Sequence, residues 1–344
     1  MVRIRGHALP DGEYVDLCAD GDRWTTDPAA GAEIIEGWLL PGLVDAHTHP
    51  GAEQPGAPFD ERMLRDHLHQ HVDAGVTLIR SPGLAGDPPP WFGEDPDVPR
   101  ASHAGPWLAQ AGQFFDGWGR RPTHAELPEV AAAQARVSGW AKIIADWGPG
   151  DEAVPVDVMT AVADAVHAVG GRVAVHTQHA AGSEAAVRAG VDSIEHGMWL
   201  DHDLLDGMAR HGIALTPTLS GFLTIVDHVR ERPDDDRKKW IVGGTDRHGA
   251  VVAAAAEAGV RVLAGTDSVP HGRVGDEIRA LANAGMRPHD ALGAGSWEAR
   301  KYLGLPGLEP GAPADAVVYA EDPRQNLDAL EHPEAVVLRG VRVR

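Results

Sequence analysis

The 344-residue chain holds a single cysteine, Cys18, only four lysines beside 26 arginines, three tyrosines and five phenylalanines. A lone thiol cannot form an intramolecular disulfide, so the fold does not rest on a disulfide framework. No window approaches the ~18 consecutive apolar residues of a membrane span. The opening residues Met1-Val2-Arg3-Ile4-Arg5-Gly6-His7 lack the apolar core of a secretory signal. A cytoplasmic protein with no membrane partner is therefore expected. Basic runs that could track a phosphate backbone are also missing, and 51 acidic residues outnumber 30 basic ones for a formal charge of −21. Nucleic acid is not an expected partner; the acidity speaks to solubility. No Gly-x-Ser-x-Gly elbow is present for a serine nucleophile.

What the chain does have is an alternation of short apolar runs with alanine-rich stretches of helical spacing, the pattern of repeated βα units. Strands are expected near residues 43–49, 76–81, 106–112, 139–146, 171–176, 191–196, 212–218 and 261–267. Helices are clearest at 156–169, 183–189, 204–210 and 249–258. Gly170-Gly171, Gly190 and Gly212 stand where helices should stop. Eight such strands make a (β/α)8 TIM-like barrel of the α/β class, which takes roughly 250 residues and leaves room for one small appendage. Both chain ends read as short strands broken by turns, at 1–5, 14–19 and 33–38, then at 316–319, 335–339 and 341–344.

His47-Thr48-His49 closes the apolar run that begins at Trp38. Side chains two apart on a strand share a face, so both imidazoles can reach one cation, and neutral imidazole is a common ligand for a catalytic metal. Further polar residues follow at the ends of later runs: Lys142 in Trp140-Ala141-Lys142-Ile143-Ile144, His176 after Val173-Ala174-Val175, His196 in Ser193-Ile194-Glu195-His196-Gly197, and Asp267 after Gly265-Thr266. In a closed parallel barrel such strand ends converge above the packed interior. Lys142 stands out because an ammonium inside an apolar strand suffers desolvation and would repel a metal.

This ordered set resembles the amidohydrolase superfamily, in its binuclear-metal branch with a carboxylated lysine, and within it the imidazolonepropionase-like and prolidase-like groups. The phrases Leu40-Pro41-Gly42-Leu43-Val44-Asp45-Ala46-His47-Thr48-His49, Ser193-Ile194-Glu195-His196-Gly197, Gly265-Thr266-Asp267 and Leu308-Glu309-Pro310-Gly311-Ala312-Pro313-Ala314-Asp315 carry the likeness over nearly the whole chain. The resemblance implies a barrel at 41–308 and a small β-sandwich domain built from 1–40 and 309–344. It implies two divalent metal ions, zinc first among candidates, with His47, His49 and Asp267 on the first, His176 and His196 on the second, and a carbon dioxide-derived carbamate on Lys142 bridging both. A hydroxide between the ions would attack, and Asp267 would carry its proton to the leaving nitrogen. The expected activity is hydrolysis of an amide bond in a small-molecule substrate such as a dipeptide or N-acyl amino acid. A lactonase, a phosphotriesterase or a cyclic-amide hydrolase on the same site stays open, as do a catalytically silent scaffold and a homo-oligomer.

Some features read less sharply. Prolidase-like proteins often carry a tyrosine after the seventh strand and a glycine-histidine-rich loop after the third, where this chain has Thr216-Pro217-Thr218-Leu219-Ser220-Gly221-Phe222 and Phe114-Phe115-Asp116-Gly117-Trp118-Gly119-Arg120-Arg121. A changed substrate pocket is expected. Arg120 or Arg121 is a candidate clamp for a substrate carboxylate, His271 and His179 are candidate substrate or supporting contacts, and Trp118, Trp147 and Trp199 are candidates to line an apolar pocket. His67 and His71, at i,i+4 spacing, are expected on a solvated helix face, since no third ligand follows them. The proline-rich stretch 86–99 and the segment 222–239 are expected as long loops over the site.

Overall fold

The computed structural model describes residues 1–344. The strands run in chain order as β1 (Val2–Ala8), β2 (Glu13–Asp20), β3 (Arg23–Thr25), β4 (Glu33–Pro41), β5 (Leu43–Asp45), β6 (Val76–Ser81), β7 (Arg100–His103), β8 (Leu108–Ala109), β9 (Trp140–Ile144), β10 (Arg172–Thr177), β11 (Ser193–His196), β12 (Ala214–Thr216), β13 (Ala316–Tyr319), β14 (Ala335–Leu338) and β15 (Val341–Arg342). The helices are α1 (Glu61–Asp73), α2 (Leu127–Ser138), α3 (Val156–His167), α4 (Ala180–Ala189), α5 (Leu205–His211), α6 (Leu219–Glu231), α7 (Asp236–Glu257), α8 (Val274–Asn283), α9 (Pro288–Ala294) and α10 (Trp297–Tyr302). No helix is long and apolar enough to cross a membrane.

Two parallel sheets carry the centre of the molecule, one ordered β5-β6-β7 and the other β12-β11-β10-β9-β8. Their strands are buried on both faces, as parallel sheets covered by helices require, except β7, which is half-buried along its length. The third expected strand, placed at 106–112, is found in two pieces: β7 pairs with β6 and β8 pairs with β9, with Gly105-Pro106 between. The eighth, placed at 261–267, forms no ladder. It is an irregular segment bonded on both sides: the Leu263 N–H donates to Leu215 O (2.9 Å), the Ala46 N–H to Ala264 O (2.8 Å) and the Asp267 N–H to His47 O (2.8 Å). Gly265 suits this crossing, since a Cβ there would collide with the His47 backbone and Cβ.

Both chain ends contribute to one seven-stranded mixed sheet in the order β15-β14-β13-β4-β1-β2-β3, where a sandwich was expected, with its own apolar core around Ile4, Leu17, Trp24, Leu39 and Val337. Strand β4 runs straight into β5 through Gly42, where any Cβ would strike Thr77. The HxH motif is thereby tethered to the end-sheet, whose strand β4 ends at Pro41, six residues before His47. Helices α4 and α5 stop at Gly190 (φ 72°) and Gly212 (φ 71°), left-handed positions that glycine adopts without a Cβ penalty.

The segment 222–239 is not a loop. It forms most of α6, a four-residue connection at 232–235 and the start of α7. Leu219, Phe222, Val226 and Val229 are buried at alternating steps of three and four, a helical stripe that packs inward. Stretch 86–99 does hold only turns.

Candidate metal centre

The HxH motif leaves β5 at Asp45, a buried carboxylate that accepts the His47 N–H (3.2 Å) and both the N–H (3.0 Å) and hydroxyl (2.7 Å) of Thr266. One side chain thus locks the residues before His47 to those before Asp267. Burial pushes this carboxyl up to about 6 against those hydrogen bonds.

Each of the two motif imidazoles spends its Nδ1 on an acceptor. His47 Nδ1 donates to Glu195 Oε2 at 2.6 Å, and His49 Nδ1 donates to the Gly83 carbonyl at 2.7 Å. Both Nε2 atoms are then lone-pair acceptors, and they lie 3.1 Å apart. Asp267 Oδ1 completes the group, 3.4 Å from His49 Nε2 and 3.8 Å from His47 Nε2. The three ligand atoms fall within 4.8 Å of one another. Two of these three atoms belong to imidazoles from which burial drives the proton: His47 falls well below the ordinary imidazole value and His49 to about 3, first by desolvation and then by the Lys142 charge. A divalent cation fits the group, since bonds of about 2.1 Å in a tetrahedron separate donors by about 3.4 Å.

Beside this group, the His196 ring centre lies 4.6 Å from that of His176 and 5.0 Å from that of His47, and His196 Nε2 is 3.8 Å from Asp267 Oδ2. His196 Nδ1 meets the Thr218 hydroxyl at 2.8 Å, leaving Nε2 for the cavity side. His196 (φ 67°) and Asp267 (φ 46°) both hold left-handed backbone, a strained choice for residues with a Cβ and one that clusters at functional sites. The buried His176 Nε2 and Lys142 Nζ have no hydrogen-bond partner at all. Burial pulls the Lys142 amine down to about 8, with Glu195 opposing, and it lifts the Asp267 carboxyl, which faces the cavity, to about 7. The donor set fits a cation against His47, His49 and Asp267, and His176, His196 and Lys142 stand within the same lining.

All six of these side chains line one cavity of about 370 Å³, and His271 lines it too. His271 Nδ1 meets the Thr48 hydroxyl at 3.0 Å, and its ring packs on His67 with centres 4.3 Å apart. His67 and His71 are consequently not on a solvated face: both are buried, with His71 Nε2 3.2 Å from Thr48 Oγ1 and the Gly51 N–H donating to His67 Nδ1. The i,i+4 spacing was correct and the facing was reversed, because α1 turns this stripe toward the loop that carries the HxH motif.

Other expectations need correction. Arg120 is exposed and lines a separate groove with Asp87, Pro88 and Gln134, because its backbone pairs with Trp107 and Ala109 and turns the side chain away from the cavity. Arg121 donates to the carbonyls of Trp118 and Phe115, so it braces the loop. His179 stacks on Trp240 and bonds the Gly148 carbonyl, and Trp199 packs against Arg247; neither lines the cavity, whereas Trp118 and Trp147 do.

Two residues went unassigned in the sequence. Glu195 holds His47, and Arg80 holds Glu195 through Nη2 at 2.8 and 2.9 Å while also reaching Thr216 Oγ1 and the Ala46 carbonyl. Burial alone would raise the Glu195 carboxyl, but Arg80 and then Lys142 hold it below the usual range. A charge inside an apolar strand was the available signal in both cases, the same one that marked Lys142.

With the geometry in place, the likeness to known proteins is decisive about kinship. The model of the amidohydrolase family matches residues 38–343. This chain belongs to the amidohydrolase family. An uncharacterised protein of Mycobacterium tuberculosis is 39% identical over 360 residues, covering 98% of this amidohydrolase and 95% of the relative. Ochratoxinase of Aspergillus niger is 29% identical over 170 residues, 48% of this chain and 35% of that one; its crystal structure superposes over 100% of this chain and 95% of that one with a TM-score of 0.83 and 18% identity. A Xaa-Pro dipeptidase solved with bound methionine gives a TM-score of 0.85 at 22% identity, over 100% of this chain and 99% of that one. At such identity the two structures share the fold with this amidohydrolase.

Proposed function

We propose that this amidohydrolase hydrolyses an amide bond of a small molecule at a two-metal centre, with zinc the first candidate metal. The observation that carries the reading is the meeting of His47 Nε2, His49 Nε2 and Asp267 Oδ1 in one buried group where both imidazoles are held neutral. His47, His49 and Asp267 would hold one ion, His176 and His196 the other, and Lys142, carboxylated by carbon dioxide, would bridge them. When bound, such ions supply a hydroxide nucleophile at neutral pH and polarise the scissile carbonyl. Asp267 takes the proton of the attacking water on a carboxylate oxygen and passes it to the leaving nitrogen, a role suited to a group held near 7. Glu195 and Arg80 keep the His47 ring in the tautomer that offers Nε2. Asp146, accepting the Thr177 hydroxyl (2.6 Å) and the Gln178 N–H (2.8 Å), fixes the turn after His176.

The same reading takes the parallel strands with segment 261–267 as an eight-stranded barrel at 41–308, and residues 1–40 with 309–344 as a separate small β domain. It keeps His271 as a substrate contact and withdraws Arg120. Elemental analysis tests the centre: protein grown with zinc and bicarbonate should carry close to two ions per chain, chelation should abolish hydrolysis of a panel of small amides, and added metal should restore it. Full activity in a metal-free preparation would end the proposal.

A further inference from the structure

The cavity above the candidate metal residues has one wall built of aromatic rings. Trp107, Phe114, Phe115, Trp118 and Trp147 all line it, five of the 18 aromatic residues in the chain. Trp107 and Trp118 form its buried base, stacked with ring centres 4.7 Å apart and planes 3° from parallel. Trp147 stands against Phe114 and Phe115 edge to face, at 5.0 and 4.8 Å. The wall reaches the candidate ligands directly: Trp107 is 5.0 Å from the His49 ring and Trp147 is 5.3 Å from the His176 ring.

This wall is held in place without a ligand. Trp118 Nε1 donates to the Ala57 carbonyl at 2.6 Å, and the Arg121 guanidinium bonds the carbonyls of Trp118 (2.7 Å) and Phe115 (2.9 Å). Phe114 sits at φ 67°, a left-handed conformation costly for a bulky residue. Phe114, Phe115 and Trp147 remain half-exposed toward the cavity. Across from them, Ile225 and Val269 are 46% and 53% exposed. Apolar surface kept open on a rigid frame is the mark of a preformed binding site.

Charge narrows the occupant. Lys142 is the only lysine or arginine in the lining, and it lies buried at the floor with the candidate ligands. The rim carries exposed Glu53, and the chain as a whole carries −21. Nothing on the wall itself can pair a carboxylate, so a group lying on it gains from ring contact and not from ion pairing.

We propose that the wall formed by Trp107, Trp118, Phe114, Phe115 and Trp147 is a subsite for a flat, uncharged aryl group carried next to the scissile amide, so that the substrates are neutral aryl amides and not carboxylated dipeptides. The proposal rests on the amide-hydrolase reading for its chemistry and on the cavity lining for its specificity. The two are separable by experiment. In the metal-loaded protein, 2-naphthamide should quench tryptophan fluorescence and bind at least ~10-fold more tightly than acetamide competes for the site. N-(2-naphthoyl)glycinamide should exceed both N-acetylglycinamide and N-(2-naphthoyl)glycine in kcat/KM by ~10-fold or more. Trp147→Ala and, more distant from the candidate ligands, Phe115→Ala should bring the naphthoyl-to-acetyl ratio toward one, with circular dichroism checking the fold. Binding preference without turnover of any amide would sink the hydrolase reading and leave the subsite standing. Turnover with no aryl preference, or with the free carboxylate preferred, would overturn the subsite and leave the hydrolase.

Discussion

A lysine amine must be neutral before it can attack carbon dioxide, and this requirement makes the environment of Lys142 a chemical instrument. Burial lowers its value from 10.5 to about 8, so the neutral fraction grows as pH rises through that value and is small below it. At fixed dissolved carbon dioxide, carbamate formation in metal-free protein should be about 25-fold faster at about pH 8.5 than at about pH 6.5, following the neutral fraction of an amine held at about 8 and read from the carbon-13 signal of labelled carbonate. Equal rates would show that Lys142 is not the residue carboxylated. Asp267→Asn keeps an oxygen and the shape but removes the base, so kcat should fall by at least ~10²-fold while metal content falls much less. Parental turnover with both ions bound would show the base to be elsewhere. For Glu195, replacement by Gln keeps volume and removes the anion that holds His47, and metal affinity should drop by ~10- to 100-fold in a competition titration with a chelating dye. His67 and His71 teach a different lesson at this scale. Their spacing was legible, but which face of α1 turned inward depended on Thr48 and His271, which are distant in sequence.

Among the elements, α6 shows how a charged surround hides a helix. Its apolar positions Leu219, Phe222, Val226 and Val229 follow helical spacing, yet they stand beside Arg230-Glu231-Arg232-Pro233-Asp234-Asp235-Asp236, which reads as a loop. The break is real at Pro233, and Asp235 then starts α7 by accepting the Lys238 N–H at 2.6 Å. What secures the start of α6 is remote: Glu277 on α8 accepts the N–H groups of Leu219 (2.9 Å) and Ser220 (2.6 Å). These are first-turn donors that the helix cannot satisfy itself. Glu277→Gln sets an amide NH2 against one of them and should cost about 1–3 kcal/mol, the penalty for a buried unsatisfied donor, measured by urea unfolding. Because Gly221, Thr224 and Ile225 on α6 line the cavity, KM for small amides should rise as well. An unchanged midpoint and unchanged KM would show that Glu277 contributes nothing to this wall.

For the molecule as a whole, the question is how the end-sheet and the parallel strands hold one another. Asp315, buried just before β13, accepts from Arg100 on β7 (2.8 Å), from Arg300 on α10 (3.3 Å) and from the Arg339 N–H (2.9 Å). Arg300 is itself buried and also reaches Thr77 and the Gly42 carbonyl, at the point where β4 becomes β5. Removing the acid would strand a guanidinium in the interior, so Asp315→Ala should destabilise the protein by about 3–5 kcal/mol in chemical denaturation. A loss below about 1 kcal/mol would mean that apolar packing alone joins the two parts.

The sequence by itself determined what is local: the apolar runs that became β6, β9, β10 and β11, the glycines that end α4 and α5, the closeness of His47 and His49, and the chain order of Lys142, His176, His196 and Asp267. Each of these follows from backbone geometry within a few residues, where propensity and periodicity act. Tertiary structure alone decided what depends on neighbours distant in the chain. It turned Arg120 away by pairing its backbone with Trp107, buried His67 and His71 under His271, and split the third strand at Gly105-Pro106. It also ran both chain ends into one seven-stranded sheet, and gathered rings from residues 107–118 with Trp147 into a single wall. Side-chain direction and burial are set by what packs against an element, and no window of sequence contains both partners.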